Sequence, residues 1–180
     1  MSGGDQVALA VCLLFDARGE RAIRALWDQL ETLGVPGLGS HTHGRHVPHL
    51  SYAVLRSWDL ARVTAALSEL EAGEPVDVSF DGIGLFRRGR AWLLAGVAAD
   101  LAIRQERVVR AVTATGAELH KHYLPGRWLP HCSLAPRAPL AQLPNLAASV
   151  YDVLPLAARL SRAALINSAT GDLWPLATLP

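Results

Sequence analysis

One pattern, written twice, constrains this chain more than any other feature. Pro48-His49-Leu50-Ser51-Tyr52-Ala53 and Pro130-His131-Cys132-Ser133-Leu134-Ala135 share the form Pro-His-x-Ser-x-Ala, each inside a short apolar run. His131 follows His49 by 82 residues, and Trp174 follows Trp92 and Gly171 follows Gly89 by the same interval. At that spacing Leu9 falls on Ala91, Val11 on Leu93, Leu26 on Val108 and Leu30 on Val112. Solenoid repeats are shorter, at about 20–50 residues. An interval this long instead describes one domain over residues 1–180, made of two similar halves, roughly 1–82 and 83–180. Two βαβ-type halves related by a pseudo-twofold axis set equivalent strands side by side, facing one cleft.

Periodicity fills in the elements. Val7–Phe15 reads as a buried strand, too short to span a bilayer, and Asp5 with no basic leader before it argues against a signal peptide. Ile23, Leu26, Trp27, Leu30 and Leu33 recur at helical spacing over 18–33. A glycine-rich loop over 34–44 leads to a strand over 47–55. A helix follows, with Ser57 as its expected N-cap and Leu60, Val63, Leu67 and Leu70 inward. Residues 76–86 and 91–97 read as a hairpin around Arg87–Arg90. A helix over 100–120 carries Leu101, Val108, Val112 and Leu119 on one stripe, and a second histidine strand covers 129–135. A short helix over 139–149, an extended segment over 154–167, a turn and a last strand over 173–179 complete the chain.

In a strand, residues two apart share a face. His49 projects with Ser51, and His131 with Ser133, while Leu50 and Cys132 turn toward the core. A slip of one residue exchanges the two sets. Two imidazoles across a cleft suit acid–base work near neutral pH, since histidine titrates near 6.5. In-line displacement at phosphorus uses both at once: one takes a proton from the attacking water and the other protonates the departing oxygen. The serine hydroxyls can donate to the phosphate oxygens.

These paired elements resemble the two signatures of the two-histidine (2H) phosphoesterase superfamily, whose best-known branch is the 2′-5′ RNA ligase and cyclic nucleotide phosphodiesterase group. The likeness extends over nearly the whole chain, and the stretch from Ser161 to Leu176 is similar to that family's final hairpin. Both motifs carry serine where the family frequently has threonine, which keeps the hydroxyl but loses the methyl that stiffens χ1. The resemblance implies an α+β fold: a bilobal pseudo-twofold duplication with antiparallel-rich sheets around a central cleft and helices outside. It implies opening of a 2′,3′-cyclic phosphate on an RNA end or a small nucleotide, with some relatives cleaving or joining 2′-5′ linkages. By this resemblance His49 and His131 are the acid–base pair, and Ser51 and Ser133 hold the phosphate.

The remaining features are read against plainer alternatives. Tyr123 and Trp128 flank the loop before the second motif and are candidates to stack on a base, with Arg127 at the cleft rim. Arg87, Arg88 and Arg90 are a solvated turn by default and a phosphate-steering patch otherwise. Trp92 and Trp174 read as structural. His41, His43, His46 and His49 have the spacing of metal ligands, with His120 and His122 adding to them, but no cysteine or acidic residue accompanies that loop. A solvated loop is the plainer reading, and no metal or cofactor is expected. Net charge is +1, which argues against a sequence-independent grip on long nucleic acid. Cys12 and Cys132 read as buried thiols in a reducing cytoplasm, and the chain is expected to be a monomer with no membrane or protein partner. Two other function classes stay open on the residues: a module that binds a nucleotide or RNA end without turnover, and a metal-dependent hydrolase using the His41–His49 cluster.

Overall fold

The structure, a computed structural model, describes residues 8–180; Asp5 and Val7 lie outside that range. Eight strands and four α-helices appear among the described residues, in an α+β arrangement. The first half runs β1 (Leu9–Phe15), α1 (Ala17–Thr32), β2 (His49–Ser57), α2 (Leu60–Ser68) and β3 (Val76–Phe86). The second runs β4 (Arg90–Ala95), α3 (Ala99–Ala114), β5 (Glu118–Leu119), a 3₁₀ turn (Lys121–Tyr123), β6 (His131–Ala135), a second 3₁₀ turn (Leu140–Gln142), α4 (Leu143–Tyr151), β7 (Leu156–Asn167) and β8 (Leu173–Pro175). Among the described residues no helix is long and apolar enough to cross a membrane.

Every strand pair is antiparallel, and the sheet order is β5-β2-β1-β7-β3-β4-β6, with β8 beside β7. Between β2 and β6 that order reads the same in both directions once β1 is matched with β4, β2 with β6 and β3 with β7. The third strand of each half crosses to the other half: β7 lies against β1, and β3 against β4. The central seam is β3 on β7, where Asp77 faces Arg159 and the pair joins through both carboxylate oxygens at 2.9 Å. Helices follow the same symmetry, since α1 packs on α4 and α3 on α2.

Side-chain alternation decides which face each helix covers. β1 is buried along its whole length: Leu9, Val11, Leu13 and Phe15 enter the main core, while Ala10, Cys12 and Leu14 form a second, smaller cluster with Ala164. On α1 the stripe Ile23, Leu26, Trp27 and Leu30 is buried, and Asp16 caps the helix by accepting from the Gly19 N–H at 2.7 Å.

Some expected boundaries move. Leu33 is not on the buried stripe; it is the C-cap of α1 and 39 % exposed. Asp59, not Ser57, caps α2, because β2 runs on to Ser57 and Asp59 Oδ1 accepts from the Arg62 N–H at 3.0 Å. α3 ends at Ala114, where Gly116 takes φ +89°, and Leu119 passes to β5 beside Leu55. The closing strand is only Leu173–Pro175.

Candidate active site

The motif strands β2 and β6 stand near opposite ends of the sheet path, yet the sheet curves until they meet. The Trp128 indole N–H, just before β6, donates to the Ser51 carbonyl of β2 at 2.9 Å. The Cys132 thiol lies on the His49 backbone N–H, and burial pushes that thiol up to about 12. Cys132 and Leu50 face the core, as the alternation requires.

Both imidazoles are fixed in the same way. His49 Nδ1 lies 2.7 Å from the Val47 carbonyl, and His131 Nδ1 lies 2.7 Å from the Leu129 carbonyl. A carbonyl only accepts, so each Nδ1 carries a proton and each Nε2 is the reactive nitrogen. Burial opposes charge on His49. Attraction to the Cys12 sulfur, a hydrogen bond with it and the Val47 carbonyl outweigh burial and lift the ring to about 9. Burial holds His131 below its ordinary value, against the Leu129 carbonyl, and the charge of His49 lowers it further. The two rings are thus close enough to feel each other, and their surroundings push their proton affinities in opposite directions.

Two adjoining cavities, about 610 and 640 Å³, open over this junction, and Arg88, Arg90, Trp92, Tyr123 and His131 line both. Arg87, Arg127, Phe86 and Leu129 belong to the first; Ser133, Arg137 and His46 belong to the second. None of the residues lining either is acidic. A chain of net charge +1 therefore concentrates five arginines at one mouth, which focuses a positive potential there.

Tyr123, Arg127, His131 and Ser133 line the cleft, but His49, Ser51 and Trp128 line neither cavity. Ser51 does not project openly into the cleft: it is 7 % exposed, with its Oγ 3.6 Å from Cys12 Sγ. Tyr123 lines both cavities while Ser51 lines neither; the Tyr123 phenol hydrogen-bonds to the Ser51 hydroxyl, and burial raises that phenol's pKa. The Trp128 ring packs on Tyr52 at 5.9 Å and its N–H donates to the Ser51 carbonyl. Trp92 is not merely structural. It lies flat on His131, with centroids 3.9 Å apart and planes 21° apart, and Phe86 packs against it, tilted by 34°, at 3.7 Å. Trp174 sits on β8, away from the cleft residues.

The loop histidines are not free in solvent. His43 and His46 approach to 4.2 Å and His41 and His46 stack at 5.9 Å. Burial and the neighbouring imidazoles push His46 down to about 4. Arg45 ties this loop to the β7–β8 turn through the Thr170 carbonyl and the Asp172 carboxylate. Gly171, at φ +72°, makes room for it, since a Cβ there would lie 2.6 Å from the His43 ring. Among the described residues no three His, Cys, Asp or Glu side chains converge as metal ligands would.

Three residues escaped the sequence reading. Gln105, 1 % exposed on the α3 stripe, donates to the Tyr52 carbonyl at 3.1 Å and the Tyr123 carbonyl at 2.8 Å. A polar residue on an otherwise apolar stripe was its signal. Trp27 on α1 donates to the Ser133 carbonyl at 3.0 Å, and nothing but its place on the stripe marked it. Cys12 reads in sequence as a buried thiol and nothing more.

The 2′-5′ RNA ligase superfamily model matches residues 19–172. The chain belongs to that superfamily, the 2H phosphoesterases. Solved structures agree on the fold at low identity. LigT of E. coli, solved with 3′-AMP, superposes with a TM-score of 0.64 at 13 % identity, over 94 % of each chain. Usb1 of Kluyveromyces marxianus gives 0.53 at 15 %, over 97 % of this chain and 98 % of the other. The MHV ns2 PDE domain gives 0.53 at 16 %, over 94 % and 97 %. No curated protein sequence matches significantly. This 2H phosphoesterase thus has the superfamily's α+β architecture and a phosphodiesterase- or RNA ligase-like identity.

Proposed function

We propose that this 2H phosphoesterase opens 2′,3′-cyclic phosphates, on RNA termini or small nucleotides, through His49 and His131. The observation that carries this reading is the matched locking of the two rings: each Nδ1 is held by the carbonyl two residues before it, from strands that meet at one cleft. One Nε2 removes a proton from water as the water oxygen bonds to phosphorus. The phosphorus–O3′ bond breaks, and the other imidazole delivers a proton to O3′, leaving a 2′-phosphate. With a ribose 5′-hydroxyl in place of water, the same attack forms a 2′-5′ linkage.

Charge on the phosphate oxygens is met by Ser133 and by the arginines of the mouth. On the His49 side Tyr123 lines both cavities, with the buried Ser51 beside it. The Trp92–Phe86 stack and Leu129 offer an apolar shelf for a base. None of these steps routes through a metal ion, so the reaction is expected to persist in EDTA. The test is a panel of 2′,3′-cyclic mononucleotides and short RNAs ending in cyclic phosphate, with EDTA present and products separated by chromatography. Conversion to 2′-phosphates is expected. No turnover of any member would refute the reading, and activity that EDTA abolishes and zinc restores would favour a metal-dependent hydrolase.

A further inference from the structure

The two cavities over the cleft are alike in size and unlike in chemistry. Beside the shared Trp92, the first is lined by Val54, Phe86 and Leu129, which suit a base. The second adds Arg137, His41 and Thr42 to the shared Arg88 and Arg90, beside apolar Leu38. Its polar side chains carry guanidinium, imidazole, hydroxyl and indole N–H groups, all able to donate, and no carboxylate stands among them. Among the described residues, Arg88, Arg90 and Arg137 have no carboxylate within ion-pair distance. Like charges gathered without counter-ions are a cost to the fold and an attraction to an anion.

The walls of this second cavity are tied down. Arg45 binds the loop that carries His41 and Thr42 to the β7–β8 turn, and the Thr42 hydroxyl lies 3.0 Å from His46 Nε2. On the other side the Ala138 N–H donates to the Gly89 carbonyl at 2.6 Å, which joins the β3–β4 turn to the segment after β6. Backbone strain falls at the same place. Among the described residues only two besides glycine have positive φ, Thr42 at +48° and Arg88 at +69°, and both line the second cavity. A β-branched threonine in that region is held there against its own preference by the structure around it.

A cyclic mononucleotide has one base and one phosphate. With its phosphate at His131 and its base on the apolar shelf, it makes no use of a donor-lined space of about 640 Å³. Resting on the phosphodiesterase reading above, we propose that the second cavity is a subsite for a second phosphate of the substrate, held by Arg137, His41 and Thr42, with Arg88 at the boundary to the reacting phosphate. Arg137 offers a planar fork of two donors, while His41 and Thr42 offer one each. These residues select the substrate; no bond is made or broken at this phosphate. Two sources share that chemistry: a 5′-phosphate on the cyclic nucleotide itself, and the internucleotide diester of an RNA end.

The test compares substrates that share a terminal adenosine 2′,3′-cyclic phosphate: the plain nucleoside form, its 5′-phosphate, a dinucleotide with the ordinary diester link and the same dinucleotide with a neutral methylphosphonate link. The quantity read is the ratio of kcat/KM between each charged form and its uncharged counterpart, within one protein, so a general loss of catalysis cancels. Wild type is expected to favour the 5′-phosphate or the diester by about tenfold or more, and whichever it favours identifies the source. Arg137→Gln is expected to cut that preference to under about threefold, and Arg137→Lys to restore part of it. Thr42→Gly, which suits a positive φ, is expected to keep a cooperative melt and lower the preference several-fold. Turnover of all four substrates within about threefold of one another, or a preference undiminished in Arg137→Gln and Thr42→Gly, would overturn this inference and leave the phosphodiesterase reading standing. No turnover of any substrate would overturn both.

Discussion

Gln105→Leu tests how the site is held from beneath. The native amide spans two segments: it donates to the Tyr52 carbonyl of β2 and to the Tyr123 carbonyl of the turn that carries the cleft-lining tyrosine. Leucine has a similar volume but no donor, so two carbonyls lose their partner. One of those bonds is buried and the other partly buried. A lost hydrogen bond costs about 1 kcal/mol net, and an orphaned buried acceptor about 1–3 kcal/mol. The added apolar burial of leucine offsets about 1 kcal/mol. The net expectation is a loss of about 2–3 kcal/mol, or about 5–10 °C in Tm for a chain of this size. Function should suffer separately, because Tyr123 and Arg127 ride on the released segment. KM is expected to rise several-fold, with a smaller change in kcat. Urea melts monitored by circular dichroism give the first quantity, and initial rates on a cyclic phosphate give the second. Gln105→Glu sharpens the test, since an ionised carboxylate cannot donate and its deficit should shrink as the solution is acidified. A Gln105→Leu protein within 2 °C of wild type and with an unchanged KM would refute this account of what the amide does.

His49→Ala and His131→Ala are each expected to lower kcat/KM by about 10³-fold or more with the melt preserved, and the double variant should lose far less than the product of the two, because the rings act as a unit; steady-state rates decide. Gly89→Ala is expected to destabilise the β3–β4 turn by several kcal/mol, since Gly89 has φ +71° and a Cβ there would fall 2.1 Å from the Ala138 carbonyl oxygen; the same variant should weaken nucleotide binding, measured by titration calorimetry, because Arg88 and Arg90 flank it. Stability is expected to fall on both sides of about pH 6.5. Below it, His46, held down near 4 in the fold, resists the proton that the unfolded chain accepts. Above it, the stabilisation from protonated His49 fades as pH rises toward about 9. Melts from pH 4 to 9 check this, and His46→Gln should flatten the acid side alone.

The sequence carried the symmetric part of this molecule and hid the asymmetric part. The 82-residue interval holds for the two histidines, and also for the helices, with α1 starting at Ala17 and α3 at Ala99. It holds again for Gly89 and Gly171, which occupy matching hairpin turns at φ +71° and +72°. It misplaces the opening strands. Leu14 faces His49 and Leu94 faces His131, so β1 and β4 correspond at an offset of 80, not at the 82 that set Leu9 over Ala91. The mismatch arises because β4 has two parts to play: it closes the first hairpin and opens the second half. As a hairpin partner it matches β8, which is why Trp92 aligns with Trp174; as an opening strand it matches β1.

That double duty also explains why Trp92 read as structural. Aligned with Trp174 it is one of two equivalent tryptophans; aligned with Cys12 it is the large member of an unequal pair beside the reactive rings. Burial of Ser51 was hidden for a related reason. Strand periodicity gives the face on which a hydroxyl points, but not what lies over that face, and Tyr123 comes from a turn 72 residues further along.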